Sequence, residues 1–136
     1  MSGVPWKSLI EAAERARANA YAPYSGYEVG AALVTPDGRV FAGCNVENAS
    51  SGLALCAERS AVAQLVASGT RTIAALVVVT PGPEPGSPCG LCRQTLSEFA
   101  ADLPIGLALP GDEAPRAIKT LANLFPDPFR IDLVKR

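Results

Sequence analysis

The apolar run from Ile73 to Thr80, IAALVVVT, is the part of the sequence that most restricts the fold. A strand rich in β-branched residues and without polar alternation is typical of a sheet whose two faces are both covered. The next segment, Pro81 to Pro88, contains four prolines and two glycines, so we predict a loop there. A buried strand of this kind indicates an architecture in which helices pack on a sheet.

The chain before this strand predicts a helix followed by a hairpin. Apolar residues recur at three-to-four spacing from Pro5 to Tyr21, which indicates an amphipathic helix. The turn signal Pro36-Asp37-Gly38 separates two predicted antiparallel strands, Tyr27 to Thr35 and Arg39 to Val46. The small residues of the first strand, Gly30, Ala31 and Ala32, predict that a neighbouring element packs closely on it.

A second helix is predicted from Leu55 to Ser68, and Gly69 is expected to end it. The remaining predicted elements are a helix, two strands and a short helix capped by Thr120, namely Cys89 to Ala101, Ile105 to Leu109, Arg116 to Lys119 and Leu121 to Leu124. This order of elements predicts an α/β fold, a three-layer α/β/α sandwich with a mixed central sheet.

Length and composition favour one globular domain spanning residues 1–136. The 12 basic and 13 acidic residues nearly cancel, which argues against a nucleic-acid partner. The start of the chain, MSGVPWK, lacks the pattern of a signal peptide, and no apolar run approaches the roughly 18 residues of a membrane span. We therefore expect a cytoplasmic protein without membrane contact.

Four cysteines and no histidine limit the chemistry of the chain. Without imidazole, nucleophilic mechanisms that depend on histidine are excluded, and a zinc site requires thiolate or carboxylate ligands. The Cys89-x-x-Cys92 motif in SPCGLCRQ is compatible with a redox pair, half of a structural zinc site or part of a catalytic metal centre.

Three of the cysteines are predicted to meet at the beginnings of two helices. Cys89 and Cys92 lie at positions i and i+3 of one first turn, and Cys56 opens the helix that follows the turn-forming sequence NASSG. The partial positive charge of a helix N-terminus favours the thiolate form that binds a metal. Three thiolates with one open position describe a catalytic zinc site.

A carboxylate and two guanidinium groups accompany these cysteines. Glu58 follows Cys56 by two residues and is predicted to act as a general base on a metal-activated water. Three thiolates around a divalent ion carry a net charge near minus one, which weakens the activation of that water. Arg59 and Arg93 are predicted to offset this charge by hydrogen bonding to the sulfurs.

Four ordered motifs, PYSGYEVGAAL, GCNVENA, CAERSA and SPCGLCRQ, resemble those of the small homotetrameric cytidine deaminases over roughly Tyr21 to Phe129. C-A-E followed by P-C-x-x-C is similar to the signature of zinc deaminases. The resemblance implies the α/β/α sandwich fold and one zinc ion per chain. It also implies hydrolytic deamination of cytidine and deoxycytidine in pyrimidine salvage, by a homotetramer whose subunits share active sites.

The resemblance also implies roles for individual residues. It implies that Glu58 carries a proton from water to N3 of cytosine and then to the departing ammonia. Asn45 and Glu47 match positions that bind the ribose hydroxyls, and the backbone N–H of Ala57 matches a contact to the pyrimidine. The positions that match the zinc ligands are Cys56, Cys89 and Cys92. Tyr27 matches an aromatic position beside the base, and Phe129 matches an aromatic residue that enters a neighbouring subunit's site.

Two positions depart from the family pattern. Tyr27 stands where phenylalanine is usual; it keeps the ring but adds a hydroxyl that needs a hydrogen-bond partner if buried. Ser51 stands where an aromatic residue is common, and because this aromatic surface is lost we expect weaker binding of substrate than is usual in the family. The alternatives are a deaminase of a cytosine nucleoside analogue such as blasticidin S, and a non-catalytic binding module in which Cys44 completes a four-thiolate zinc site. A thiol-disulfide redox protein using Cys89 and Cys92 is a third alternative.

Overall fold

Five strands form one sheet, and helices cover both of its faces in the computed structural model, which describes residues 3–131. The elements in chain order are α1 (Trp6–Arg17), β1 (Gly30–Val34), β2 (Val40–Cys44), a 3-10 helix (Ser51–Leu53), α2 (Ala57–Ala67), β3 (Ala75–Val79), α3 (Gly90–Ser97), β4 (Pro104–Ala108), β5 (Ala117–Thr120) and α4 (Leu121–Leu124). Each predicted element is present.

The strand order is β2-β1-β3-β4-β5. β1 pairs antiparallel with both β2 and β3, β3 pairs parallel with β4, and β5 returns antiparallel to β4. The run that opens at Ile73 therefore supplies the central strand. The predicted mixed sheet is confirmed.

The central strand β3 contributes to two separate cores. Leu76 and Val78 pack on the side of α2 and α3, whereas Val77 and Val79 pack on the side of α1. All five β3 residues are buried, so the absence of polar alternation in the sequence reflects helices on both faces of the sheet. The three-layer sandwich is confirmed.

Glycines allow both neighbouring helices to approach the sheet closely. A Cβ atom at Gly30 would lie 2.0 Å from the carbonyl oxygen of Ala13 in α1. A Cβ atom at Gly43 in β2 would lie 2.6 Å from the backbone nitrogen of Ala61 in α2. The close packing predicted at Gly30 is confirmed, and Gly43 is its counterpart on the other face.

The predicted ends of two helices are wrong. α1 ends at Arg17, not Tyr21, because the N–H groups of Asn19 and Ala20 turn back to carbonyls three residues earlier and Tyr21 then bridges to Val46. α3 ends at Ser97, not Ala101, through the same type of three-residue hydrogen bond. Such bonds tighten a helix end and close it.

Two predicted helix boundaries are confirmed. Gly69 follows α2 with a φ of +94°, a left-handed conformation that favours glycine. Thr120 caps α4, and its hydroxyl oxygen accepts a 3.2 Å hydrogen bond from the backbone nitrogen of Asn123. Within residues 3–131, no helix combines the length and hydrophobicity that a membrane crossing requires.

Candidate metal centre and active site

The first residues of α2 and α3 bring three cysteines together. Cys56 is the N-cap of α2, Cys89 is the N-cap of α3, and Cys92 lies in the first turn of α3. Both caps have extended backbone conformations, so the two loops lead their thiols to the same point at which the helices begin. The convergence predicted from the sequence is confirmed.

The three sulfur atoms have the spacing of zinc ligands. The Sγ atoms of Cys56 and Cys89 are 3.7 Å apart, those of Cys89 and Cys92 are 3.6 Å apart, and all three lie within 4.8 Å of one another. A tetrahedral site with zinc–sulfur bonds of about 2.3 Å has ligand separations of about 3.8 Å. The triangle therefore fits one zinc ion.

The candidate metal site consists of three cysteines and has one open side. Cys92 is buried, but Cys89 is exposed and Cys56 is partly exposed, so one side of the triangle faces the solvent. Within residues 3–131, the cluster that could hold a metal consists of these three cysteines and excludes Cys44, a half-buried residue that ends β2. The proposal of a four-thiolate binding module is therefore wrong.

When no metal is bound, Cys56 and Cys92 differ in pKa. A hydrogen bond from the Cys92 thiol is the largest cause that lowers the pKa of Cys56 to about 5, and Arg59 adds to this effect. The same hydrogen bond, together with burial, raises the pKa of Cys92. A guanidinium nitrogen of Arg59 lies 3.7 Å from Cys56 Sγ and donates to the carbonyl oxygen of Ala54 at 3.1 Å. Arg59 is thus placed to offset negative charge on a sulfur, as the sequence predicts.

Glu58 lies beside this cluster in the first turn of α2. Only 4% of the Glu58 surface is exposed to solvent. Burial is the main cause that raises the pKa of Glu58 to about 7, and the nearby Cys56 thiolate also raises it. A carboxyl group with such a pKa accepts and releases a proton near neutral pH, as a general acid–base group must.

A cavity of about 220 Å³ adjoins Glu58 and two cysteines of the cluster, Cys56 and Cys89. The predicted site residues that line it are Tyr27, Asn45, Cys56, Ala57, Glu58 and Cys89. Other residues that line the cavity, including Thr80, Gly86 and Ser87, were not among the predicted site residues. Gly86 donates its backbone N–H to the Thr80 hydroxyl at 2.7 Å, which holds the loop against the end of β3. The only sequence signal for Gly86 and Ser87 was their place immediately before the Pro88-Cys89 step.

The side chain of Asn45 is fixed by the segment that leads into β1. Its Oδ1 accepts from the backbone nitrogen of Val29 at 2.9 Å, and its Nδ2 donates to the carbonyl oxygen of Tyr27 at 2.8 Å. β1 begins at Gly30 and not at the predicted Tyr27, and the Asn45 side chain instead holds the backbone that leads into the strand. Asn45 therefore both lines the cavity and positions Tyr27.

Glu47 does not line the same cavity as Asn45. It borders a second cavity of about 300 Å³ together with Tyr24 and Ser51. Its Oε1 accepts from the backbone nitrogens of Tyr24 at 2.9 Å and Ser25 at 3.2 Å. The Ser25 hydroxyl hydrogen bond is the main cause that lowers the pKa of Glu47, so this carboxylate is ionised at neutral pH. Sequence reasoning missed the contribution of Ser25.

Arg93 and Phe129 lie outside the cavity of their own chain. Among the described residues, the hydrogen bonds from the Arg93 guanidinium go to the carbonyl oxygens of Pro88 at 2.8 Å and Leu124 at 2.7 Å, and not to a sulfur. The predicted bond from Arg93 to a cysteine is therefore wrong, and the side chain instead fastens the loop and the end of α4. Phe129 is 70% exposed.

Comparison with known proteins identifies the family. Residues 6–105 match the family model described as the cytidine and deoxycytidylate deaminase zinc-binding region. The chain belongs to this deaminase family. A cytidine deaminase of Mycobacterium tuberculosis is 43% identical over 136 residues, covering 100% of this chain and 98% of its own length. A cytidine deaminase of Sporosarcina psychrophila is 42% identical over 90% of each chain.

Solved structures of the family support the same assignment. The crystal structure of cytidine deaminase from Burkholderia pseudomallei has a TM-score of 0.83 and 48% identity, covering 90% of this chain and 97% of that chain. The Mycobacterium tuberculosis enzyme has a TM-score of 0.82 and 42% identity, covering 94% and 99%. The region matched by the family model includes the three cysteines and Glu58, so the metal centre lies in the part of the chain that defines the family.

Proposed function

We propose that this protein catalyses the zinc-dependent hydrolytic deamination of cytidine and deoxycytidine to uridine and deoxyuridine, with release of ammonia. One observation carries the proposal: three cysteine sulfurs have zinc-ligand spacing, and two of these cysteines line a cavity of about 220 Å³ together with the buried Glu58. Family membership supports it, since relatives that share 42–43% identity are named cytidine deaminases.

Cys56, Cys89 and Cys92 would hold the zinc ion. When bound, zinc would lower the pKa of a water molecule towards neutrality, which is the activation that attack at C4 of cytosine requires. The Glu58 carboxylate accepts a proton from this water and donates it to N3 of the ring. Glu58 then transfers the second proton of the water to the leaving amino group. Cytidine and water thus yield uridine and ammonia, and Glu58 returns to its initial state.

The pyrimidine ring would occupy the cavity beside Glu58. Tyr27 presents an aromatic ring on one wall, and the backbone N–H of Ala57 at the start of α2 is a donor for the base carbonyl. Asn45 lines the same cavity, with its amide held at a fixed orientation. A fixed amide supports recognition of a ribose hydroxyl without further ordering of the side chain.

Glu47 would bind the sugar from the adjoining surface. Its carboxylate has about four acceptor positions, and three hydrogen bonds from Tyr24 and Ser25 leave one for a ribose hydroxyl. The free base lacks these hydroxyls, so a nucleoside is the expected substrate. Ser51 borders this second cavity with a small side chain, which supports the expectation of weaker sugar binding.

We also propose a homotetramer in which each Phe129 reaches the active site of a neighbouring chain. Support comes from the 70% exposure of Phe129, which lies outside the cavity of its own chain. The chain would act as a single domain in cytoplasmic pyrimidine salvage. Sedimentation analysis of the zinc-loaded protein measures the oligomer, and a mass near four chains is the expected result.

The decisive test is incubation of the zinc-loaded protein with cytidine, followed by ultraviolet absorbance at the cytidine and uridine bands and by an ammonia assay. We expect equal amounts of uridine and ammonia, and no release from free cytosine. A Cys92→Ser variant is the control for background deamination. If zinc-loaded protein converts neither cytidine nor deoxycytidine, the proposal fails, and turnover of blasticidin S in the same assay would replace it with the analogue deaminase.

A further inference from the structure

The side chain of Gln94 pairs with the backbone of Phe129, 35 residues away in the sequence. Gln94 Nε2 donates to the carbonyl oxygen of Phe129 at 2.9 Å, and the backbone nitrogen of Phe129 donates to Gln94 Oε1 at 3.1 Å. An amide that makes both bonds with the same residue fixes the position of that residue and the rotation of its backbone. The glutamine amide has the one donor and one acceptor that this arrangement requires.

The segment held by Gln94 is also fastened at its other end. Arg93, the preceding residue of α3, donates to the carbonyl oxygen of Leu124 at 2.7 Å. Two consecutive side chains of α3 therefore hold residues 124–129 along the helix that carries Cys92. The position of this segment is thereby tied to the metal-binding helix.

Despite this fixed backbone, the Phe129 ring is not covered by its own chain. The residue is 70% exposed, although the chain forms two hydrogen bonds to hold its backbone. Aromatic side chains are common anchors of protein interfaces, where they gain their burial from a partner, and a backbone held by two hydrogen bonds suits Phe129 to that role. The fixed backbone would reduce the entropy that the ring loses when it is buried.

We propose that Gln94 is a positioning residue, which holds Phe129 in the orientation needed to enter the substrate pocket of a second copy of this chain. This inference rests on the proposed function and names a residue in one chain that sets substrate binding in another. Gln94 does not line the cavity of its own chain, so it acts through Phe129. A purely structural role would instead stabilise the folded chain without affecting substrate binding.

A double-mutant cycle distinguishes the two roles. Gln94→Ala is expected to raise KM for cytidine roughly three- to tenfold, the effect of losing about 1 kcal/mol of positioning, with kcat changed less than twofold. Phe129→Ala is expected to raise KM by at least as much. The double variant should match Phe129→Ala alone, because Gln94 then has no ring left to position. Gln94→Glu keeps the acceptor for the Phe129 N–H and should lie between wild type and Gln94→Ala.

Gln64→Ala is the matched control. This glutamine also joins a helix to a backbone carbonyl, that of Ala42, but it lies on α2, and its side-chain hydrogen bond among the described residues goes to β2 and not to residues 124–129. It should lower thermal stability to a similar degree and leave KM unchanged. Zinc content and circular dichroism of every variant verify that each is folded.

Amide hydrogen exchange tests the hydrogen bonds between Gln94 and the Phe129 backbone independently of turnover. The Phe129 amide should exchange at least tenfold faster in Gln94→Ala than in the wild type or in Gln64→Ala. Unchanged exchange, unchanged KM, or additive effects in the double variant would each overturn the inference. If the wild type does not deaminate cytidine while the exchange difference is present, the proposed function fails, but the holding of the Phe129 backbone by Gln94 is confirmed.

Discussion

Glu58 shows how local surroundings at the scale of one residue determine chemistry. A first-turn glutamate is an ordinary feature of helices, where it interacts with the helix dipole. Here, burial raises its pKa to about 7, and its position beside three sulfurs places it next to the water that a bound zinc ion would activate. The carboxylate is therefore suited to transfer protons at neutral pH, which a solvent-exposed glutamate with an ordinary pKa does poorly.

The variant Glu58→Gln tests this role. Glutamine has nearly the same volume, so we expect zinc to be retained at one ion per chain while kcat falls by roughly 10²- to 10⁴-fold. Metal analysis and the cytidine absorbance assay measure the two quantities. Glu98→Gln, an exposed position at the end of α3, is the control and should keep full activity. A Glu58→Gln protein with near-normal kcat would exclude Glu58 as the proton carrier.

Cys56 provides a second test at the residue scale, in metal-free protein. Its pKa is lowered from 9.0 to about 5, so the sulfur is a thiolate above about pH 5 and a thiol below it. We expect its alkylation by iodoacetamide to be nearly constant from pH 6 to 8 and to fall below pH 5. Peptide mapping by mass spectrometry measures the rate at each cysteine.

Zinc-loaded protein is the control for this experiment, because a coordinated sulfur is protected from alkylation. A Cys56 rate that instead keeps rising up to pH 8, as for a small free thiol with a pKa of about 8.5, would contradict the lowered pKa. The experiment thus separates a preformed thiolate from one that appears only when metal binds.

Site residues were predicted correctly where their positions depend on neighbours in the sequence, and incorrectly where they depend on contacts distant in the sequence. Cys56, Glu58, Cys89 and Cys92 follow from short motifs at helix starts, where neighbouring positions determine the direction of each side chain. Arg93 was misplaced because its partner, the carbonyl oxygen of Leu124, lies 31 residues away. Such a contact depends on how α3 and α4 pack, which no local pattern encodes.

At the scale of elements, the strand from Ala75 to Val79 was predictable because burial on both faces requires an uninterrupted apolar run. The ends of α1 and α3 were not predictable from the sequence. Residues 18–20 are good helix formers or neutral in the sequence, but a three-residue hydrogen-bonded turn and the bridge from Tyr21 to Val46 redirect the chain. Tertiary pairing overrides local preference at such ends.

The contact between β2 and α2 gives a prediction at this scale. A Cβ atom in Gly43→Ala would lie 2.6 Å from both the Ala61 backbone nitrogen and the Ser60 hydroxyl oxygen, so α2 must move outward. We expect a loss of about 1–3 kcal/mol in the free energy of unfolding. Because α2 carries Cys56, we also expect faster loss of zinc to a chelator. Denaturant unfolding and a colorimetric zinc assay measure both effects.

Gly52→Ala is the matched control, since no atom lies within 4 Å of its added Cβ position. This change should leave stability unaltered or slightly increased, through reduced entropy of the unfolded chain. Equal stability of the Gly43→Ala and Gly52→Ala proteins would show that α2 does not depend on the close approach at β2.

At the scale of the whole molecule, the sheet topology explains why the site forms where it does. The proline-rich loop after β3 returns the chain to the start of α3, while α2 begins beside the antiparallel strands β1 and β2. Val78, near the carboxyl end of β3, and Thr80, just after that strand, line the cavity between these helix starts. Open α/β sheets commonly place ligands at the carboxyl ends of strands.

Because the metal centre joins the starts of two helices, removal of zinc should weaken the whole domain. A ligand that binds only the folded state at about 1,000 times its Kd stabilises that state by about 4 kcal/mol. For a chain of this size, that corresponds to a decrease in Tm of roughly 10 °C or more on chelation. Differential scanning calorimetry of zinc-loaded and chelator-treated protein measures the shift, and added zinc should restore the original Tm.

Cys44→Ala is the control that assigns this effect to the three-cysteine cluster. Cys44 lies outside the cluster, so the variant should retain one zinc per chain and show the same decrease in Tm on chelation. Cys92→Ser removes a buried ligand and should bind zinc weakly, with a Tm that no longer responds to chelator. Loss of zinc from Cys44→Ala would show that the site needs a fourth thiolate. Retention of zinc by Cys44→Ala, together with loss from Cys92→Ser, would leave the fourth position available to water, as the proposed reaction requires.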